Sequence, residues 1–470
     1  MSALLKHDSK LLWSVVLLPV VFFLCIGEGS VQITAAASQL PRPKSVQLSE
    51  EKVTVGPLSR LTAPSTFLER FAAASASFSM ALGGFATVGN NLPIAVEIFA
   101  EKHSDALSQE ALQVLRHSEG YQIETTGQGI RILAADDLGA LHGLATLESF
   151  MIDGRGQVKK GRILDWPDHK VRAVHATIGT ADPEKMKRFI TMARFGHFNT
   201  FVLQLSNGVR FSSMAKAVDA NSWTIEQFLH VVSYARQHGL NVVPEIRTLT
   251  HLKWFLEHYP SIRYNTSTYD PRKEETYAVI LPIIDEVITL IRPNAVHIGH
   301  DEAAGHSLES GKKWLRAGET MLPKELFLMD VRRLHKHLAE RGVETWMWGD
   351  MLLSPAEFPG MLASHLHGTD GYASIRANVP RDIVIIDWHY ADKQAAFPSA
   401  LVLLKEGRKV IGATWKRQDT IRNFSRYLLS ITHGTTGGMM ATTWRLLHDS
   451  DWSAIEKVLA VSAENFWNAR

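Results

Sequence analysis

Cysteine is nearly absent: Cys25 is the only one in 470 residues, and it lies within an apolar run near the start. Beyond that run no thiol remains, which excludes disulfide bonds and a cysteine nucleophile in the body of the chain. Charge imbalance is lacking too. A net charge of +2 offers no electrostatic footprint for nucleic acid or for an acidic partner. Internal repeats and low-complexity tracts are missing as well, so a solenoid or a biased disordered segment is not expected. What is present is ordinary globular material, 45% hydrophobic and 21% charged. The length suits a barrel of about 250 residues together with a smaller partner domain.

The one long hydrophobic run is at the start. Lys6 and Lys10 precede apolar residues 11–27, interrupted only by Ser14 and Pro19, and Ala35, Ala36 and Ala37 then give a small-residue cleavage pattern. Residues 1–37 therefore read as a secretory signal, which places the protein outside the cell or in the periplasm. An uncleaved membrane anchor is the alternative, because the spacer 27–37 is long for a signal.

Residues 38–165 mix strand and helix signals and read as a small α+β domain. Residues 121–125 alternate apolar and polar side chains, Gly127 and Gly129 mark a turn, and residues 130–134 form a second apolar run, together a hairpin. Leu138, Leu141, Leu144, Leu147 and Phe150 then recur at helical spacing. From residue 166 to 470 the pattern changes: apolar strands alternate with amphipathic helices, as in a parallel sheet with crossover helices. Strands are expected to begin near Val171, Thr200, Asn241, Ala295, Glu344, Ile383, Val410 and Gly438. Helices are expected over 183–195, 224–238, 276–291, 324–341 and 451–467. Eight such strands close a (β/α)8 TIM barrel.

The stretch 295–304, AVHIGHDEAA, runs an apolar strand straight into Asp301 and Glu302. In a regular strand His297 and Asp301 share a face and Glu302 points away, so both acids reach one site only if the chain leaves the pleat. Gly299, free to take a positive φ, allows that. A metal site is a second reading, since His297, His300, Asp301, Glu302 and His306 are all ligand types, although their spacing fits no metal signature. Further aromatic and polar residues fall near strand ends: Trp346, Trp348 and Asp350 on the fifth, Trp388 on the sixth, Trp415 on the seventh and Trp444 on the eighth. Indole walls suit the flat C–H faces of sugars, and the N–H gives each wall one donor.

The pattern H-x-G-x-D-E at 297–302 resembles the catalytic motif of glycoside hydrolase family 20, the β-N-acetylhexosaminidases, with His300 in place of a second glycine. The segment 119–150 resembles the small domain that precedes the barrel in that family. The resemblance implies that Glu302 is the general acid and that Asp301 orients the substrate's acetamido group. It further implies that Arg172, His251, Trp348 and Trp444 belong to the substrate site, and the positions of His297, Asp350 and Trp388 on or just beyond the strand ends add these three to it. The family's reaction removes terminal β-linked N-acetylhexosamine with retention, the acetamido oxygen acting as nucleophile, and needs no cofactor or metal. Its substrate class is an oligosaccharide or glycoconjugate. Several positions depart from the family pattern: Arg247 replaces an Asp, Asn207 and Gly208 occupy a usually acidic region, and Leu446 stands where a sugar-binding Glu is expected. A carbohydrate-binding protein on an inactive barrel is therefore the alternative from another class, with a metal-dependent hydrolase third. Export predicts a mature N-terminus near Ser38, to be read from the intact mass of secreted material; retention of residues 1–27 in a membrane fraction would establish the anchor instead.

Overall fold

The computed structural model describes residues 38–470 except 86–91, 100–106, 180, 304–314, 435, 445–446 and 448–451. The signal-like stretch with Cys25, His306 and Leu446 thus lie outside the described residues. The first domain is a mixed sheet of β1 (Ser45–Thr54), β2 (Arg60–Thr62), β3 (Pro93–Ile98), β4 (Tyr121–Thr125), β5 (Ile130–Ala134) and β6 (Gln157–Asp165), in the order β1-β6-β4-β5-β3-β2. The β4–β5 hairpin closes where the amide of Thr126 donates to the carbonyl of Gly129 at 2.9 Å. Helix α1 (Asp137–Asp153) begins at Asp136, whose carboxylate accepts the Gly139 amide and so satisfies an otherwise open first-turn donor. Leu141, Leu144, Leu147 and Met151 on that helix complete the core over the sheet.

The second domain is a closed parallel barrel of eight strands: β7 (Val171–Thr177), β8 (Thr200–Gln204), β9 (Asn241–Thr248), β10 (Ala295–Gly299), β11 (Glu344–Trp348), β12 (Val384–Trp388), β13 (Val410–Thr414) and β14 (Gly438–Thr443). The strands start where the hydrophobic pattern puts them, with the sixth displaced by a single residue. Five crossover helices also follow expectation, at Pro183–Phe195, Ile225–Gln237, Glu274–Ile291, Lys324–Ala339 and Trp452–Trp467. The structure adds helices at Pro398–Lys405 and Gln418–Thr432 beyond those expected. The connection after β11 has no α-helix at all. Pro355, Pro359, Gly360, Gly368 and Gly371 break it into 3-10 turns at Asp350–Leu352, Ala363–His365 and Tyr372–Asn378.

Side chains from alternate positions fill the barrel, among them Val202, Val243, Trp346, Ile386 and Met440. Trp346 belongs to this filling and not to a pocket: its indole N–H donates to Glu344 at the start of β11. Between the domains lies a second buried layer, and it is charged. Arg194 pairs with Glu148 at 2.8 Å, and Trp467, from the last helix, packs into the first domain's core with its indole N–H on Asp165 at 2.9 Å.

Arg172 belongs to this layer, which corrects its assignment to the substrate site. It is the second residue of β7 and so sits at the opposite end of the barrel from Glu302, with its side chain 1% exposed. Its guanidinium pairs with Glu119, donates to the carbonyls of His169 and His197 at 2.8 Å each, and lies over the Trp467 ring. Burial on its own would raise the Glu119 carboxyl, but the charge of Arg172 and the hydrogen bond from His142 outweigh it and bring the pKa to about 2. Arg172→Ala leaves that carboxylate buried without its arginine cation, with only His142 and Asn199 still bonded to it, and a loss of about 3–5 kcal/mol is expected in a urea melt. Because the Glu119 pKa is depressed, the stability it contributes is fully present above about pH 4.5 and disappears as the pH falls toward 2. The variant's deficit should therefore narrow over that acid window.

Candidate active site

The two acids meet because the chain leaves the pleat where β10 ends. Gly299 has φ +77°, His300 +71° and Glu302 +43°, and the β9–β10 pairing slips between His297↔Glu245 and Gly299↔Thr248. A Cβ on Gly299 would meet only ordinary contacts, so it is the backbone angle that demands glycine there. His300 is fully buried and pinned away from the mouth, one ring nitrogen 3.0 Å from Asp330 and the other 3.2 Å from the Thr248 hydroxyl. Asp330 in turn accepts from the hydroxyls of Tyr269 and Tyr277. A left-handed non-glycine residue costs about 1–2 kcal/mol, and here that anchor and one further bond hold it. The further bond is the Glu302 amide donating to Asp350 Oδ2 at 2.9 Å. As a result Asp301 and Glu302 converge on a single imidazole, His251 Nε2, at 3.3 and 3.5 Å.

Aromatic side chains wall this mouth. Trp348 packs at 4.8 Å on His297 and 5.4 Å on Trp444. The Trp444 indole donates to the Tyr390 hydroxyl at 2.7 Å, and Tyr390 stacks on Trp388 at 4.8 Å. Trp388 donates to Asp350 Oδ1 at 3.1 Å, so Asp350 ties the aromatic wall to the backbone of Glu302. Beneath lies Glu245, which the sequence reading passed over although it stands within PEIRTLTH. It is fully buried and accepts from His175 at 3.0 Å, Gln204 at 2.8 Å and Trp348 at 3.4 Å. An acid inside an apolar strand is the signal that could have flagged it. His297 lies at this lower level: its Nδ1 accepts the Gly299 amide, and the ring supports Trp348 from below.

The acids are driven apart in charge. Burial raises Glu302, the adjacent Asp301 raises it further, and the pKa reaches about 7. Burial pushes Asp301 the same way, but the charge and hydrogen bond of His251, with Arg247 behind, hold it well below the usual carboxylate range. His251 is raised in return, Asp301 outweighing burial. One acid keeps its proton near neutrality while its neighbour is an anion. Two groups among the described residues bring three donors close enough to grip an ion, His251 with Asp301 and Glu302, and His365 with His389 and Asp392. Both are already closed by their own pairing, the second with both imidazoles on Asp392 at 2.6 and 2.9 Å, and neither is assigned as a metal centre.

An eight-stranded parallel barrel with paired acids at the C-terminal strand ends and an α+β domain before it defines the class of the molecule. Two family models match the chain: glycosyl hydrolase family 20, catalytic domain, over residues 201–415, and domain 2 of the same family over residues 38–166. The chain belongs to glycosyl hydrolase family 20. Among curated relatives, a lacto-N-biosidase of Bifidobacterium bifidum is 22% identical over 64% of this chain and 26% of its own length. A crystal structure of a β-N-acetylhexosaminidase from Bacteroides fragilis superposes with a TM-score of 0.63 at 18% identity, covering 91% of each chain. An exo-β-N-acetylglucosaminidase from Vibrio harveyi in complex with N-acetylglucosamine gives 0.67 at 17% identity, covering 92% of this chain and 74% of that one. The chain spans about a quarter to a half of the length of the first curated relatives it matches.

Carboxyl-detected NMR should show Glu302 titrating near pH 7 and Asp301 ionised to the acid limit of the folded state. His251→Asn removes the cation that holds Asp301 down and should move its titration up toward the ordinary range.

Proposed function

We propose that this protein is a glycoside hydrolase that removes terminal β-linked N-acetylhexosamine with retention of configuration, the substrate's acetamido group supplying the nucleophile. The observation that carries this reading is the pair of neighbouring acids at one strand end, both turned toward His251 at 3.3 and 3.5 Å, in surroundings that raise Glu302 and lower Asp301. Glu302 donates its proton to the departing glycosidic oxygen. Asp301, anionic, accepts the acetamido N–H and turns the acetamido oxygen toward the anomeric carbon. Sequence neighbours that share one imidazole stand on one side of a bound sugar and do not flank it, so an opposed carboxylate nucleophile is not provided by this pair. Water then opens the cyclic intermediate, and Glu302 takes the proton back. Trp348, Trp388 and Trp444 supply apolar walls for the sugar ring, with the Tyr390 hydroxyl between two of them. Export through the basic and apolar start is part of the same reading, since glycoconjugates of this class are met outside the cell.

Hydrolysis of aryl and disaccharide N-acetylhexosaminides tests it. Glu302→Gln should slow cleavage by about 10²- to 10⁴-fold for poor leaving groups and far less for an activated phenol. Asp301→Asn should impair both kinds of substrate. Since Glu302 acts protonated, kcat/KM should fall as the pH rises through about 7. Glucosides without the acetamido group cleaved as fast as N-acetylglucosaminides would refute the internal nucleophile. Absence of turnover with retained sugar binding would favour the inactive-barrel alternative, and loss on chelation with rescue by added metal would favour the metal-dependent one.

A further inference from the structure

The irregular connection between β11 and β12 brings to the site a residue that the reaction as written leaves unused. His367 is fully buried, and its Nδ1 lies 2.9 Å from Asp350 Oδ2, the same oxygen that accepts the Glu302 amide at 2.9 Å. Its own amide donates to the Asp350 carbonyl, so backbone and ring both fix the pair. The second ring nitrogen, Nε2, is buried with no hydrogen-bond partner among the described residues. The ring packs 5.8 Å from Trp388, which donates to the other oxygen of Asp350.

Titratable groups face His367 from three directions. Asp350 comes from the end of β11, Asp301 and Glu302 come from the end of β10, and His365 lies in the same connection. Asp350 is a buried carboxyl with no lysine or arginine bonded to it among the described residues, so the His367 ring, when protonated, is placed to be its counterion. A neutral ring would leave that charge balanced only by amide and indole dipoles, which costs more in a dry interior. In keeping with this, burial lowers His367, but the hydrogen bond and charge of Asp350, followed by Glu302 and Asp301, outweigh burial and raise it.

We propose that His367 is a positioning residue for Glu302: through Asp350 it holds the acid's backbone in its left-handed turn, and as a retained cation it steadies the carboxylate left after proton transfer. This rests on the hydrolytic reading above. In the first step the Glu302 proton goes to the glycosidic oxygen, the C1–O bond breaks and the acetamido oxygen bonds to C1. In the second, water bonds to C1 as the bond from C1 to the acetamido oxygen breaks, and one water proton returns to Glu302. His367 keeps its own protons throughout.

Two variants separate geometry from charge. His367→Asn places an amide N–H where Nδ1 was and keeps the bond to Asp350 without the cation, whereas His367→Ala loses both. With a poor leaving group, His367→Asn should lower kcat/KM about tenfold, and His367→Ala about a hundredfold, with KM little changed. Removing a cation makes Glu302 harder to deprotonate, so the basic limb of the profile should move up by about one pH unit in His367→Asn. An unmoved limb in a variant that melts like the parent would overturn the proposal. A readout independent of turnover is the imidazole nitrogen titration of His367 by NMR, compared between the parent and Glu302→Gln. Altered titration supports the coupling even in a protein that cleaves no hexosaminide, an outcome that would sink only the hydrolytic reading. Identical titration in both proteins would overturn the positioning role whatever the activity.

Discussion

The site depends on one backbone constraint, the left-handed turn through Gly299, His300 and Glu302 at the end of β10. Without it, strand alternation sends Asp301 and Glu302 to opposite faces and no shared chemistry is available to them. The turn is not favoured locally, because two of its left-handed residues carry side chains. It is held from two sides: His300 is bound into a buried cluster with Asp330, Thr248 and two tyrosines, and the Glu302 amide is bound to Asp350. A histidine in place of a second glycine thus reads as an anchor, exchanging backbone freedom for a buried hydrogen-bonded grip.

That turn also sets the electrostatics. Adjacent carboxyls forced to one side in a largely dry pocket cannot both ionise easily, and the asymmetry of their surroundings decides which does. Asp301 has His251 within ion-pair reach and Arg247 nearby; Glu302 has Asp301 itself and Asp350 as neighbours. The division into a retained proton and a persistent anion follows from placement, since as free side chains the two acids would titrate almost together. Elsewhere the same rule serves stability. Arg172 with Glu119 and Arg194 with Glu148 are buried charges between the domains, tolerated because each is paired and hydrogen-bonded.

Local patterning determined much of this protein. Apolar runs of strand length alternating with 3.6-residue periodicity specify the strands, most crossover helices and the hairpin of the first domain, because burial on one face leaves its period in the sequence. The acid pair, the glycine that releases it and the tryptophans at strand ends were legible for the same reason: each is a residue type out of keeping with its immediate neighbours. What only the tertiary structure decided concerns which end of the barrel, or which side of a wall, a side chain faces. Arg172 and Trp346 are polar or aromatic residues on barrel strands like those of the site, yet Arg172, near the start of β7, lies in the domain interface, and Trp346, midway along β11, lies in the barrel filling. Glu245 and His367 reach the site from a strand and from a helix-free connection distant in sequence from the acids, through hydrogen bonds that no local period records. Such contacts are set by barrel closure, which brings residues from separate strands and loops to one mouth, and sequence periodicity carries no information about which of them will meet.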